Sequence, residues 1–163
     1  MTKTRFTSFA IATAALLAAL LGASGARALE AKVEKTMAVD AMTGWAAVGD
    51  FCGISKWHPV VTKCEISEKD GKTFRTLTLK DGAKLLEQLV AFDKAGMSYT
   101  YTIVEGPLPV KNYTSTISVK PAGSSSTLSW IGTFDASGGA DAEVVKTITG
   151  IYEAGAGELV KTK

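Results

Sequence analysis

The chain has 163 residues, which is enough for one domain with a hydrophobic core. Its 18 basic and 16 acidic side chains give a formal net charge of +2. Three of the basic residues (Lys3, Arg5 and Arg27) lie in the first 28 positions, so the remainder carries 15 basic against 16 acidic side chains, a net of −1. This balance excludes the basic footprint typical of nucleic-acid-binding proteins.

The first 28 residues have the pattern of a secretory signal. Lys3 and Arg5 form a basic start, Ala10–Leu21 is an apolar run, and Ala26–Ala28 matches an A-x-A cleavage site. The apolar run is too short for a good membrane span, and no later segment is apolar enough to form one. We therefore expect cleavage after Ala28, one domain over 29–163, and a periplasmic or secreted location.

The first elements after the signal are a strand and two short helices. Alternation predicts a strand over 32–39, and Asp40 is a good N-cap for a helix that ends at Val48. We expect this helix to turn an apolar face inward, formed by Met42, Trp45, Ala46 and Val48. A short helical piece and a turn at Trp57-His58-Pro59 follow.

From residue 60 onward, a period of two predicts six strands joined as antiparallel hairpins, over 60–67, 73–80, 84–92, 97–104, 111–120 and 126–135. After Gly139 the period becomes helical, with an apolar stripe of Val144, Val145, Ile148, Ile151, Tyr152, Leu159 and Val160. The predicted class is α+β, with a curved antiparallel sheet of about seven strands around a long C-terminal helix. Gly150, Gly155 and Gly157 within this helix predict a close approach to the sheet or a bend.

The two cysteines are twelve residues apart across a helix-to-strand turn. In an oxidising compartment this favours a Cys52–Cys64 disulfide, worth about 2–3 kcal/mol, over two buried free thiols. Two cysteines and one histidine supply at most three soft metal ligands, and there is no C-x-x-C spacing. We therefore expect no metal and no other cofactor.

Alternation also places aromatic and hydroxyl side chains on the inner faces of the last strands. Tyr99 and Tyr101 share one such face, Tyr113 and Ser115 share the next, and Trp130 lies on the last strand with Phe134. A filled core is one interpretation. Buried hydroxyl groups need hydrogen-bond partners, however, which favours a cavity with apolar walls and few polar groups.

Two registers are possible for the hairpin that carries Arg75 and Glu87. A two-residue loop pairs Glu87 with Thr76, and a three-residue loop pairs it with Leu77. The hydrophobic pattern favours the second register, which keeps Leu77 and Leu85 on the inner face. Arg75 and Glu87 then both face inward, where they pair with each other or bind a ligand.

His58 is the only histidine of the chain. A nucleophile would have to use it, and no serine lies in a nucleophile-elbow context. A turn histidine that caps backbone groups and a cavity-lining histidine are both open interpretations.

The order of elements resembles the START and Bet v 1-like helix-grip superfamily (SRPBCC), in its polyketide cyclase/dehydrase branch. The resemblance covers about 30–160 and is carried by Val48-Gly49-Asp50-Phe51, Trp57-His58-Pro59, Phe74-Arg75-Thr76-Leu77, Leu85-Leu86-Glu87-Gln88-Leu89, and the stretch Tyr101–Val110 with Asn112-Tyr113. It implies an apolar cavity between the sheet and the last helix.

By likeness to plant hormone receptors of the superfamily, His58 takes the place of a pocket lysine. Glu87, Tyr113 and Ser115 then match pocket-facing polar residues, while 80–83 and 106–110 match loops at the cavity mouth. The predicted ligand-binding set is Trp57, His58, Arg75, Leu77, Glu87, Tyr99, Tyr101, Tyr113, Ser115, Trp130, Phe134 and Tyr152.

Three functions follow. The first is a periplasmic carrier or sensor of a small apolar or amphipathic molecule. The second is an accessory protein for a periplasmic dehydrogenase or cytochrome, because secreted members of this branch resemble the small protein encoded with methanol dehydrogenase. The third is a cyclase- or hydratase-like enzyme that uses His58, Arg75 and Glu87 for proton transfer; it ranks last because fold likeness does not carry chemistry.

Overall fold

The computed structural model describes residues 28–161, so the predicted signal lies outside the described residues except for Ala28. The predicted order of elements is confirmed, and Asp40 caps the first helix with its carboxylate. The elements are β1 Leu29–Met37, α1 Ala41–Val48, α2 Ile54–Trp57, β2 Val61–Lys69, β3 Lys72–Leu79, β4 Lys84–Asp93, β5 Ser98–Glu105, β6 Val110–Ala122, β7 Ser125–Ala136 and α3 Asp141–Leu159.

The strands form one antiparallel sheet in the order β1-β7-β6-β5-β4-β3-β2. β2 to β7 follow one another as hairpins, while α1 and α2 connect the two edge strands. Register shifts interrupt three of the ladders, and such bulges bend and twist a sheet. α3 packs against β1 and β7 through the buried side chains Val144, Ile148, Tyr152, Ala156 and Leu159, which gives the helix-grip arrangement that the sequence predicts.

The predicted inner face of α1 is partly wrong. Met42 is 73% exposed and Ala46 is exposed, whereas Ala41, Gly44 and Val48 are buried. A Cβ atom at Gly44 would clash with side chains of β1 and β7. The helix therefore lies too close to the sheet for large side chains at its contact positions, and it buries small ones instead.

The register of the β3–β4 hairpin differs by two residues from the prediction. Glu87 lies opposite Arg75, not opposite Leu77, and Leu77 lies opposite Leu85. The loop has three residues as expected, but they are Lys80–Gly82, and the last of them takes φ 85°. A shift of two residues preserves the faces of both strands, so the predicted inward direction of Arg75 and Glu87 is correct.

The disulfide between Cys52 and Cys64 is present, with the two Cα atoms 5.6 Å apart. It joins the segment between α1 and α2 to β2. Within residues 28–161, no group of three or more His, Cys, Asp or Glu side chains is arranged to hold a metal ion. In that same part of the chain, no helix has the length and hydropathy needed to cross a membrane.

Candidate functional site: a small cavity beside a hydroxyl network

A cavity of about 60 Å³ lies between the sheet, α2 and α3. Leucine, isoleucine and valine side chains form most of its wall, and the other lining residues are His58, Glu87, Tyr101, Tyr113, Trp130 and Tyr152. One water needs roughly 10–15 Å³ of such space, and drug-sized ligands occupy about 300–1,000 Å³. The cavity therefore fits a few waters or a small organic molecule, and side chains fill the rest of the space between helix and sheet.

The structure brings seven of the twelve predicted ligand-binding residues to the cavity: Leu77 and the six residues just named. The other five, Trp57, Arg75, Tyr99, Ser115 and Phe134, lie behind the wall, and their role in binding stays a prediction. The predicted set lacked nine aliphatic lining residues, which are Ile54, Val60, Val61, Leu79, Leu85, Ile103, Leu108, Ile148 and Ile151. Two of them, Ile148 and Ile151, belong to the apolar stripe that the sequence predicts for the last helix.

Arg75 and Glu87 form a buried ion pair on neighbouring strands. Arg75 Nε donates to Glu87 Oε2 over 2.5 Å, and Nη1 donates to the carbonyl of Phe51. The guanidinium carbon lies 4.1 Å from the ring centroid of Phe51 and 4.8 Å from that of Tyr101, a geometry that favours cation–π attraction. Arg75 is 0% exposed, so these partners replace water at Nε, at Nη1 and on the guanidinium face, while Nη2 is buried without a hydrogen-bond partner.

Burial raises the pKa of Glu87, and the charge of Arg75 opposes this rise. Burial is the largest single influence on Arg75 and works against its charge, but Glu87, Tyr99 and Tyr101 together outweigh burial and raise the pKa of Arg75. A neutral Glu87 would leave the guanidinium buried without its counter-ion, which is costly. The pair is therefore ionic at neutral pH, and only Glu87 lines the cavity.

A network of hydroxyl groups lies against the same cavity. Tyr152 Oη is 2.5 Å from Tyr113 Oη and 3.0 Å from Ser115 Oγ, while Tyr101 Oη lies 3.5 Å from Tyr113 Oη. Trp130 Nε1 donates to both Tyr101 Oη and Ser115 Oγ at 3.1 Å. The predicted need for partners of these buried hydroxyls is thus met largely by the hydroxyls themselves.

All three tyrosines of the network are protonated at neutral pH. Burial raises the pKa of Tyr101 and of Tyr113 well above the usual tyrosine value, and it raises the pKa of Tyr152 to about 12. The ring of Tyr152 stacks on that of Trp130, with centroids 4.4 Å apart and planes 10° apart. The network is therefore a rigid set of neutral O–H groups.

His58 combines both interpretations of the sequence. It ends α2, lines the cavity, and its Nε2 donates to the carbonyl of Ile151 over 3.1 Å, which ties α2 to α3. Nδ1 then accepts weakly from the backbone N–H of Val60, over 3.4 Å. Burial lowers the pKa of His58 and the bond to Ile151 opposes this, so the ring is neutral at pH 7.

Gly155 permits the close approach of α3. A Cβ atom there would lie 2.6 Å from His58 Cδ2 and 2.9 Å from ring carbons of Trp57 and Trp130. The predicted close approach is confirmed at this glycine. At Gly150 and Gly157 a Cβ atom would meet nothing within 4 Å, so these two glycines are not required by packing.

A family model described as "Polyketide cyclase / dehydrase and lipid transport" matches residues 28–162. The chain belongs to this family. It is also similar to the solved protein XoxI from Bacillus cereus, at 30% identity and a TM-score of 0.78 over 82% of this chain and 94% of that one. An uncharacterized protein from Bacillus thuringiensis matches at 30% identity and TM-score 0.77, over 81% and 96%.

More distant structures share the fold alone. The aromatase/cyclase Zhui from Streptomyces sp. R1128 is 15% identical, with a TM-score of 0.65 over 83% of this chain and 90% of that one. A START superfamily protein from Mycobacterium smegmatis is 17% identical, with a TM-score of 0.66 over 81% and 94%. No curated protein matches the sequence. The expected superfamily and branch are confirmed, and this fold is consistent with ligand binding.

Proposed function

We propose that the protein is an exported binding protein that holds a small amphipathic molecule in the cavity between the sheet and α3. The observation that carries this proposal is the asymmetry of the wall, because Glu87 and the tyrosine hydroxyls lie among aliphatic side chains. Apolar walls with few convergent polar groups are typical of small-molecule sites. The signal pattern of the first 28 residues supports export.

The size of the cavity limits the ligand. At about 60 Å³ it accepts a molecule of a few non-hydrogen atoms without rearrangement. Leu108, in the loop that resembles a cavity-mouth loop of the superfamily, lines the cavity together with Leu85. A Cβ atom at Gly106 in this loop would clash with Leu85, so the loop packs tightly against the start of strand β4. Opening of this loop is the route by which we expect a ligand to enter.

Native mass spectrometry of the protein purified after export, followed by solvent extraction, tests the proposal. The matched variants are Ile103→Phe, which fills the cavity, and Val104→Phe, which adds the same ring on the other face of β5, where the side chain is 51% exposed. We expect a small molecule on the wild-type protein and on Val104→Phe, and none on Ile103→Phe. Equal retention by both variants, or a protein that binds no small apolar probe, would refute the proposal.

A second candidate is an accessory protein for an exported oxidoreductase, such as a methanol dehydrogenase with its cytochrome. Exposed aromatic surface supports it: Phe92 is 48% exposed, and its ring centroid lies 5.9 Å from that of Trp45 on α1. Aromatic residues are enriched at protein interfaces. A pull-down with the wild-type protein should recover a dehydrogenase or cytochrome that Phe92→Ser loses, and recovery of neither would remove this candidate.

A further inference from the structure

The protons of the hydroxyl network can be assigned one by one. Ser115 Oγ lies 3.0 Å from the carbonyl oxygen of Ile131, which can only accept, so the serine hydroxyl donates its proton to that carbonyl. Tyr152 must then donate to Ser115, and Tyr113 must donate to Tyr152. Tyr101 donates in turn to Tyr113, over the longest contact of the series.

The result is a directed chain that begins at Trp130 Nε1–H and ends at the carbonyl of Ile131. Each hydroxyl of the chain donates its only proton to the next member, and the indole N–H is shared between Tyr101 and Ser115. Each hydroxyl oxygen has two lone pairs. The oxygens of Tyr101 and Tyr113 each accept one hydrogen bond within the chain, so each has one lone pair left. The network thus faces the cavity with spare acceptors and no spare proton.

The two remaining titratable groups of the cavity, Glu87 and His58, also lack a free donor. Glu87 is ionic, so its oxygens accept, and Oε2 is the one that Arg75 engages. His58 is neutral with its proton on Nε2, where Ile151 accepts it, and Nδ1 accepts from the backbone N–H of Val60, so the ring offers no free donor. The free acceptors of the wall therefore belong to Glu87 and the tyrosine hydroxyls, while the donors of its polar side chains are already engaged.

From this arrangement we infer that the site selects a neutral ligand with an O–H or N–H donor, such as a small alcohol, over an acceptor-only ligand of the same size. The inference rests on the proposed function and deepens it. An acceptor-only ligand would place its oxygen against lone pairs and lose its own hydration without compensation. A cation fits less well, because the charge of Glu87 is already neutralised by Arg75.

Three probes matched in their number of non-hydrogen atoms test the selectivity: 1-butanol, which donates, butanone, which only accepts, and 1-chlorobutane, which does neither. Each is titrated into the purified protein and followed by ¹H–¹⁵N NMR shifts of cavity-lining residues. Because a hydrogen bond to a charged acceptor is among the stronger ones, we expect 1-butanol to bind at least about fivefold more tightly than butanone.

Tyr113→Phe provides the sharper test, because it removes the acceptor of the Tyr101 proton and so frees a donor for the cavity. We expect the preference for 1-butanol over butanone to fall severalfold in this variant. Ser115→Ala removes the acceptor of the Tyr152 proton in the same way. It replaces Tyr113→Phe in this test if that variant does not fold. Thr100→Val is the control, since it deletes a hydroxyl bonded to Thr116, away from the cavity, and should leave the preference unchanged.

The possible outcomes separate the two proposals. Binding of butanone as tightly as 1-butanol to the wild-type protein, or an unchanged preference in both network variants, would overturn the donor selectivity and leave the binding function standing. Failure of all three probes to bind would overturn the binding function itself, and the selectivity with it.

Discussion

The buried ion pair gives the most quantitative prediction for this fold. Glu87→Gln keeps the shape of the side chain but removes the counter-ion of Arg75, which is 0% exposed. Two unit charges about 4 Å apart attract by about 4 kcal/mol at the effective dielectric constant of a protein site. A buried charge left without its partner typically costs about 3–5 kcal/mol, so we expect the free energy of unfolding to fall by that amount.

The companion variants separate loss of the pair from loss of one partner. Arg75→Met leaves a buried carboxylate whose pKa is raised by burial with no cation to oppose the rise. The folded state then binds a proton more tightly than the unfolded state, so stability should fall as pH rises above the ordinary glutamate pKa. In the double variant Arg75→Met/Glu87→Leu no charge remains, and we expect stability within about 2 kcal/mol of wild type or above it.

Urea unfolding with the disulfide intact measures these differences as shifts in midpoint at constant slope. The control is the exposed pair Lys35–Glu153, whose atoms lie 2.6 Å apart with side chains 36% and 48% exposed. Glu153→Gln should cost less than about 1 kcal/mol. If Glu87→Gln cost no more than this surface variant, the account of a desolvated, mutually dependent pair would be wrong.

Three further predictions concern α3, His58 and the disulfide. In thermal unfolding, Gly155→Ala should lower stability by about 1–3 kcal/mol through overpacking, whereas Gly150→Ala on the same helix should raise it by up to about 1 kcal/mol. Unchanged stability of Gly155→Ala would contradict the tight contact. Since burial lowers the pKa of His58, the free energy of unfolding of the wild-type protein should fall as pH drops below about 6.5. His58→Gln should remove that dependence. Parallel pH profiles of stability for the two proteins would show that His58 does not titrate this way. Replacing Cys52 and Cys64 by serine should lower stability by about 3 kcal/mol in urea, and an unchanged midpoint would show that the bond does not constrain the unfolded chain.

Much of the fold could be predicted because strand faces depend on a simple alternation. The inward direction of Arg75 and Glu87 follows from the period of two, even though the predicted partner of Glu87 was off by two positions. The predicted inner face of α1 was partly wrong. Hydrophobicity alone favoured Met42, but the space between α1 and the sheet admits only a residue as small as Gly44. Helix-to-sheet distance is a tertiary property that a local pattern does not contain.

Seven of the twelve predicted ligand-binding residues line the cavity, but the geometry that joins them was not predictable from the sequence. The need of buried hydroxyls for partners was evident from Tyr101, Tyr113 and Ser115 in the sequence. That they satisfy one another depends on Tyr152 of α3 reaching between the strands, a contact across 37 residues from Ser115. The small volume of the cavity likewise follows from side-chain packing, which no periodicity describes.

In the proposed function, the cavity holds a small molecule against Glu87 and the tyrosine hydroxyls. A high-resolution crystal structure of the protein purified after export tests it most directly. We expect electron density for a small organic molecule between the sheet and α3, with a polar atom within hydrogen-bond distance of Glu87 or Tyr113. A cavity closed by side chains, with no space for a ligand and no density within it, would show that the protein does not bind a ligand there.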